Sequence, residues 1–229
     1  MRTAAPTTVG LITIGQAPRI DVVPEMLDLL GPAVHVREAG ALDGLSQAEV
    51  RVLAPRPEDE VLVTRLQDGT SVEVAEREIV PRLRERVDAL IVEGADVVAL
   101  LCTGEFPVFA CARPLLKPQV VLHHFVSSVA QGQRLGVVVP VPAQLASATR
   151  RWQTAAGEVC VVAASPYTAD GGGRDKAAAA LRDWGADLLV LDCLGFDRSM
   201  KARAAAIAGV PVILPRTVLA RTLAELVDA

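Results

Sequence analysis

The feature that most constrains this chain is an internal repeat. GADVVALLCTG begins at Gly94 and returns as GADLLVLDCLG at Gly185, 91 residues on, with six of eleven positions identical. A chain of 229 residues has room for two domains of roughly 100 residues each. The repeat predicts that it is built from two copies of one plan. In each copy the Gly suits a left-handed helix end. Ala-Asp then leads into a strand too apolar to have a wet face, which puts Cys and the second Gly at the strand's carboxyl end. In parallel α/β sheets ligands bind outside those ends. The alignment pairs Cys102 with Cys193, Leu100 with Leu191, and Gly104 with Gly195.

Weaker echoes extend the repeat. TVGLITIGQAP resembles RLGVVVPVPAQ, and VVLHHFVSSVA from Val120 resembles VILPRTVLARTLA from Val212. Short apolar runs bounded by Gly or Pro alternate with helical patterns, the rhythm of β-α units. Strands are expected at Val9–Ile14, Val34–Glu38, Val97–Leu101 and Val120–Leu122, then at Leu135–Val139, Val159–Ala163, Leu188–Leu191 and Val210–Leu214. Helices are expected near Pro18–Leu30, Ala75–Gly94, Phe125–Gly132, Ala143–Ala156, Asp175–Gly185, Arg198–Ala208 and Val218–Val227. The fold class is therefore α/β, with two pseudo-symmetric parallel-sheet halves, residues 1–125 and 126–229, and a C-terminal helix free to pack back on the first half. DEVLVTRLQDGTSVEV alternates around Asp68-Gly69, a hairpin signature near residues 60–75 with no counterpart in the second half. It reads as a cover over the functional cleft, a dimer contact, or an ordinary surface hairpin. Only 3% of residues are aromatic, so Val, Leu, Ile and Ala must build the core, as suits a parallel sheet under Ala-rich helices.

Composition removes several function classes. The net charge is −4 and no basic run appears, which argues against a nucleic-acid partner. No apolar stretch approaches the ~20 residues needed to span a bilayer, and the N-terminus has no secretory h-region, so a cytoplasmic protein without a membrane partner is expected. The four cysteines, Cys102, Cys111, Cys160 and Cys193, show no C-x-x-C spacing, and the three histidines no zinc pattern. Neither a P-loop nor a dinucleotide fingerprint is present, GGGR at Gly171–Arg174 reading as a loop. No metal and no cofactor is implied, and the expected partner is a small-molecule substrate, in a monomer or homodimer.

Two thiols at equivalent strand ends suggest a reaction type. Inverting a carbon centre without a cofactor needs a base on one face and an acid on the other, and a thiol's pKa is readily tuned for either. Cys102 and Cys193 are the candidate catalytic residues; Cys111 and Cys160 lack equivalents and read as core. Thr103 and Gly104, with Leu194 and Gly195 as counterparts, are candidate binding residues offering a hydroxyl and backbone N–H groups to an oxyanion. Ser127 and Ser128 read as the start of a helix, where amides favour anions or the hydroxyls act as caps. Gly15, Gln16 and Arg19 follow the first strand; Arg19 either grips a substrate carboxylate or pairs with Asp21 or Glu25. Asp192 precedes Cys193 and so points to the opposite face of the strand.

GLITIGQAPRIDVVPEM near the N-terminus and LDCLGF near the C-terminus resemble the AroM family, and the resemblance runs through essentially the whole chain. The wider plan resembles the cofactor-independent aspartate/glutamate/hydantoin racemase superfamily. That resemblance implies two-base proton transfer by one Cys per half, LCTG and DCLG being similar to the two motifs; relatives with a single Cys decarboxylate or isomerise. The chain departs from glutamate racemases, which carry Asn-Thr after the first Cys and an acidic-serine pair after the first strand, where this sequence has Gly15-Gln16-Ala17-Pro18-Arg19. Two alternatives stand beside the racemase: a single-thiolate decarboxylase, lyase or hydrolase, and a non-catalytic small-molecule-binding regulator.

Overall fold

The computed structural model describes residues 7–32 and 34–227. The chain divides into two compact units, one comprising residues up to Pro118 and from Leu219 on, the other Gln119–Val218. The boundary expected at 125/126 would cut helix α4 (Pro118–Val129) in its middle, and the division falls at that helix's first turn instead.

The first unit contains, in order, β1 (Thr7–Thr13), α1 (Val23–Leu30), β2 (Val34–Gly40), α2 (Gln47–Val52), β3 (Val61–Arg65), β4 (Ser71–Ala75), α3 (Glu76–Val92), β5 (Val97–Leu100) and β6 (Leu115–Leu116). Its parallel sheet has the order β2-β1-β5-β6. The second unit continues from α4 through β7 (Arg134–Val139), α5 (Leu145–Trp152), β8 (Glu158–Ala163), α6 (Gly172–Trp184), β9 (Leu188–Leu191), α7 (Arg198–Ala208), β10 (Val212–Ile213) and the first residues of α8 (Pro215–Val227). Its sheet, also parallel, has the order β10-β9-β7-β8. Reading β7, β8, β9 and β10 as β1, β2, β5 and β6 makes the two orders identical, so the repeat in the sequence is a repeat in topology.

The Gly-Ala-Asp motif does the same work twice. Gly94 and Gly185 take φ of 93° and 84°, a conformation that ends a helix without a Cβ clash. The next N–H, of Ala95 or Ala186, bonds back to Leu90 or Leu181 in the helix just ended. Each Asp then clamps the central strand: the Thr8 and Arg134 N–H groups donate to Asp96 and Asp187 at 3.0 and 2.8 Å, and the Asp N–H groups donate back to Thr8 and Arg134. Gly10 and Gly136, two residues beyond Thr8 and Arg134, lie where a Cβ would press Leu90 or Leu181. Small residues there let α3 and α6 approach their strands.

One expected strand is wrong. Val120–Leu122 lies inside α4, and the edge strand of the first sheet is Leu115–Leu116. The true echo is Pro114-Leu-Leu-Lys-Pro118 with Pro211-Val-Ile-Leu-Pro215. Val98 and Leu189 donate to the carbonyls of the leading prolines, and the closing prolines begin α4 and α8. The β-branched Val-Val pair favours a strand locally. The stripe Leu122, Val126 and Ala130, buried at i+4 spacing, decides for helix. Two smaller differences follow from backbone bonding. α1 starts at Val23 rather than Pro18, and Gly172–Arg174 forms the first turn of α6 rather than a loop. The hairpin β3–β4 is present, with Gly69 at φ 85° in its turn, and its inward residues Leu62, Leu66 and Val74 belong to the first unit's core.

Candidate active site

Strand alternation decides what each residue after β9 can reach. Leu189 and Leu191 face α6 and α7, and Cys193 continues that side; Val190 faces the opposite core, and Asp192 continues there. Asp192 is buried against α5, its Oδ2 accepting from Arg151 Nη2 at 2.6 Å and from Trp152 Nε1 at 2.7 Å. In the first unit Val98 and Leu100 face α3 and the hairpin, and Cys102 packs with the same cluster.

Both thiols sit in the same turn. The Gly104 N–H donates to Cys102 Sγ and the Gly195 N–H to Cys193 Sγ, each at 3.3 Å. A donor aimed at sulfur favours thiolate over thiol. The Gly104 amide expected to face a substrate oxygen is thus turned onto the sulfur beside it. Thr103 is buried within this loop.

Beyond that turn the surroundings differ. A Cβ on Gly104 would meet Leu62 of the hairpin at 2.8 Å and the Phe106 ring at 3.3 Å, an apolar wall. A Cβ on Gly195 would meet the Tyr167 hydroxyl at 2.6 Å, and that oxygen lies 3.9 Å from Cys193 Sγ. Leu194 is buried, and its carbonyl accepts from Nε and Nη2 of Arg216, itself 2% exposed, at 3.0 and 2.7 Å. Asp197 ends the loop by capping α7, its carboxylate accepting from the Met200 N–H at 2.8 Å and Ser199 Oγ at 2.6 Å. Burial raises the Asp197 carboxyl, but these hydrogen bonds and the Arg216 charge outweigh it and hold the group below its ordinary value. A cavity of about 210 Å³ opens between α6 and α7, floored by Val138, Leu191 and Phe196 and rimmed by Arg174 and Arg203.

The residues after β1 are engaged within their own unit. Gly15 lies where a Cβ would strike the Arg65 carbonyl and the Thr64 side chain, so the hairpin crosses there at backbone distance. Gln16 ties two loops together, its Nε2 donating to the Leu42 and Leu45 carbonyls while its Oε1 accepts from the Gln67 N–H. Arg19 takes the ion-pair option: its Nε and Nη2 reach both oxygens of Asp21, and its Nη1 donates to Thr13 Oγ1. Burial raises the Asp21 carboxyl, but Arg19, with help from Arg65, holds it below its ordinary value. Ser127 and Ser128 stand in the last turn of α4, where carbonyls rather than amides are exposed, and Ser128 Oγ donates to the Phe125 carbonyl. The anion reading of that pair fails with the strand that was to precede it. α4 also packs on the Trp152 side of the sheet, not on the Cys193 side. Cys111 packs on the first unit's core. Cys160 is on β8, where burial pushes its thiol up against a small opposing pull from Arg134.

Among the described residues no group of three or more His, Cys, Asp or Glu is placed to hold a metal ion, and no helix is long and apolar enough to cross a membrane. A family model described as AroM protein matches residues 9–227, nearly the whole chain and both cysteine loops. The chain belongs to the AroM family. No curated protein matches it. Solved structures share its fold at low identity. An allantoin racemase from Klebsiella pneumoniae gives a TM-score of 0.65 at 14% identity, covering 97% of this chain and 88% of that one. A glutamate racemase from Francisella tularensis in complex with D-glutamate gives 0.64 at 14% identity, covering 98% and 82%. An arylmalonate decarboxylase gives 0.58 at 13% identity, covering 97% and 92%. This AroM-family chain therefore has the racemase-like fold, an α/β plan with a parallel sheet in each half.

Sequence reasoning passed over two side chains beside the Cys193 loop of this family member. Tyr167 is the single tyrosine of the chain and follows β8 at a strand carboxyl end, a position that could have flagged it. Arg216 follows Pro215 at the start of α8 and gave no comparable signal, because its carbonyl partner is 22 residues away.

Proposed function

We propose that this protein is a cofactor-independent proton-transfer enzyme, a racemase or epimerase in which Cys102 and Cys193 act on opposite faces of a small carboxylate or cyclic amide. The supporting observation is that each thiol, at the end of an equivalent strand, receives the N–H of the glycine two residues on at the same 3.3 Å. In the forward step one thiolate takes the proton from carbon, the electron pair delocalises into the adjacent carbonyl, and the other thiol delivers its proton to the opposite face. The protein is left with its two sulfurs in exchanged protonation states, ready for the reverse direction. Thr103, Gly104, Leu194 and Gly195 shape the ground around the sulfurs. In this reading the protein works in the cytosol, where its thiols stay reduced, on a small molecule, as a monomer or homodimer.

The unlike walls beside the two sulfurs, Leu62 and Phe106 against Tyr167, favour a second version. There one thiol alone protonates a carbanion, formed for example when a malonate loses carbon dioxide.

Amino acids, hydantoin-like rings and substituted malonates incubated in deuterium oxide separate the two. The two-thiol enzyme washes deuterium into the α position and racemises. Cys102→Ser and Cys193→Ser each abolish racemisation, because a serine hydroxyl is far too weak a base near neutral pH. The remaining thiol still exchanges one enantiomer, and the preference is opposite in the two variants. Full racemisation by either variant would overturn the two-base reading; decarboxylation lost in only one of them would establish the one-thiol version.

A further inference from the structure

We propose that the cavity between α6 and α7 binds a small monocarboxylate with a compact apolar body, and that its occupancy is felt by the turn that carries Cys193. The site is separate from the two-thiol chemistry. Neither cysteine is among its walls, and all of its walls belong to the second unit.

The body of the ligand follows from the floor. Val138 and Leu191 come from the sheet, Phe196 from the Cys193 loop, and Ala178 and Ala204 from the two helices, all members of one apolar cluster. Alanine on both helices is what leaves the space. An apolar cavity of roughly 150 Å³ takes a benzene ring, and this one has about 210 Å³. It is smaller than the ~300 Å³ at which drug-sized sites begin, so the ligand is one ring, or its aliphatic equivalent, and little more.

The head group follows from the rim. Arg203 is held by Asp175, its Nε and Nη2 donating to the two carboxylate oxygens at 3.0 and 2.8 Å. That hydrogen bonding, with the charges of Arg203 and Arg174, outweighs desolvation and holds the Asp175 carboxyl below its ordinary value. Two guanidiniums against one carboxylate leave the walls with one positive charge, which a monoanion neutralises. Arg174 is already immobilised, because its Nη1 donates to the Ser165 and Thr168 carbonyls at 3.0 and 2.9 Å. A carboxylate therefore docks on it at little cost in side-chain entropy. The first turns of α6, at Arg174 and Asp175, and of α7, at Ser199, meet at this rim, and their dipoles favour the same sign of charge.

The link to Cys193 lies in the floor. Leu191 and Phe196 bracket the turn, and the Phe196 N–H bonds to the Cys193 carbonyl at 3.3 Å. A ligand seated on both residues steadies the segment between them.

Calorimetric titration with benzoate, and with benzyl alcohol as the uncharged control, tests the site without knowledge of the substrate. Benzoate should bind about tenfold tighter than benzyl alcohol, the worth of one charge-assisted hydrogen bond. Arg174→Gln should weaken benzoate by about the same factor. Asp175→Asn removes a competing negative charge and should tighten benzoate by about two- to fivefold, where damage to the fold would weaken it. Ala204→Leu fills the cavity and should abolish binding; if that variant does not fold, the two rim variants decide. Cys102→Ser should leave binding unchanged. With benzoate saturating, alkylation of Cys193 by iodoacetamide, followed by peptide-resolved mass spectrometry, should slow by about fivefold, the low end of ordinary coupling between sites, with Cys111 unaffected. Equal binding of the two probes, weaker binding in Asp175→Asn, or loss of binding in Cys102→Ser would each overturn the site. An unchanged Cys193 rate at saturation would overturn its link to the turn. None of these results bears on the two-thiol reading, which stands or falls on deuterium exchange.

Discussion

Replacing Asp192 by Ala would take a buried carboxylate from between two donors, a guanidinium and an indole N–H. Asp192 Oδ2 accepts from Arg151 at 2.6 Å and Trp152 Nε1 at 2.7 Å; the Asp192 side chain is 1% exposed and that of Arg151 13%. Removing one partner of a buried pair costs about 3–5 kcal/mol, mostly because the other charge stays buried. The partial exposure of Arg151 lets water recover some of that, while the indole N–H inside the core adds to the loss, so about 3–4 kcal/mol is expected. Asp192→Asn keeps an acceptor of the same shape and should lose only the charge-assisted part, about 1–2 kcal/mol. Urea unfolding followed by tryptophan fluorescence is the assay, because both tryptophans, Trp152 and Trp184, lie in the second unit. With a slope of about 2 kcal/mol per molar urea, the Ala variant should lower the midpoint by about 1.5–2 M and the Asn variant by about half as much. A cycle with Arg151→Met should show a coupling of about 1–3 kcal/mol. A loss under about 1 kcal/mol for Asp192→Ala, or zero coupling, would refute the assignment of Asp192 to the fold of this loop.

Other consequences are as direct. Asp96→Ala and Asp187→Ala each delete a carboxylate that accepts an N–H at the start of a central strand, and each should destabilise its own unit by about 1–3 kcal/mol; proteolysis with mapped cleavage sites would show whether each change opens its own half. Asp197→Ala removes the side-chain cap of α7 and should cost about 0.5–2 kcal/mol by urea unfolding. The Asp21 carboxyl lies below its unfolded value, so its pairing with Arg19 contributes fully above the ordinary Asp pKa of about 3.9 and is lost as pH falls through the lower folded value. Asp21→Asn should therefore destabilise the protein at neutral pH and narrow its gap to the parent below about pH 4, as measured by thermal unfolding at several pH values.

Much of this architecture is legible in the residues alone. Gly-Ala-Asp, the apolar strand and Cys-x-Gly recur because a helix end, a doubly buried strand and a tight turn are each set by neighbours within a few positions. Period-two alternation was enough to send Asp192 and Cys193 to opposite sides, and Asp68-Gly69 to mark the hairpin. Where a segment's state depended on burial rather than on local preference, the local signal misled: Val120–Leu122 looks like a strand by composition, but Pro118 and the stripe through Leu122, Val126 and Ala130 commit it to α4, and Ser127 and Ser128 go with it. What Arg19 does was undecidable along the chain, since a guanidinium takes whichever carboxylate folding brings to it, and folding brings Asp21. The contacts that distinguish the two sulfurs come from further away still. Leu62 reaches Gly104 across 42 residues and Tyr167 reaches Cys193 across 26. Neither pairing leaves a trace in spacing or periodicity, because each exists only once separate elements have packed. The sequence determined that there would be two matched thiols; the tertiary structure decided which side chains stand beside each turn, Leu62 and Phe106 at Gly104 and Tyr167 at Gly195.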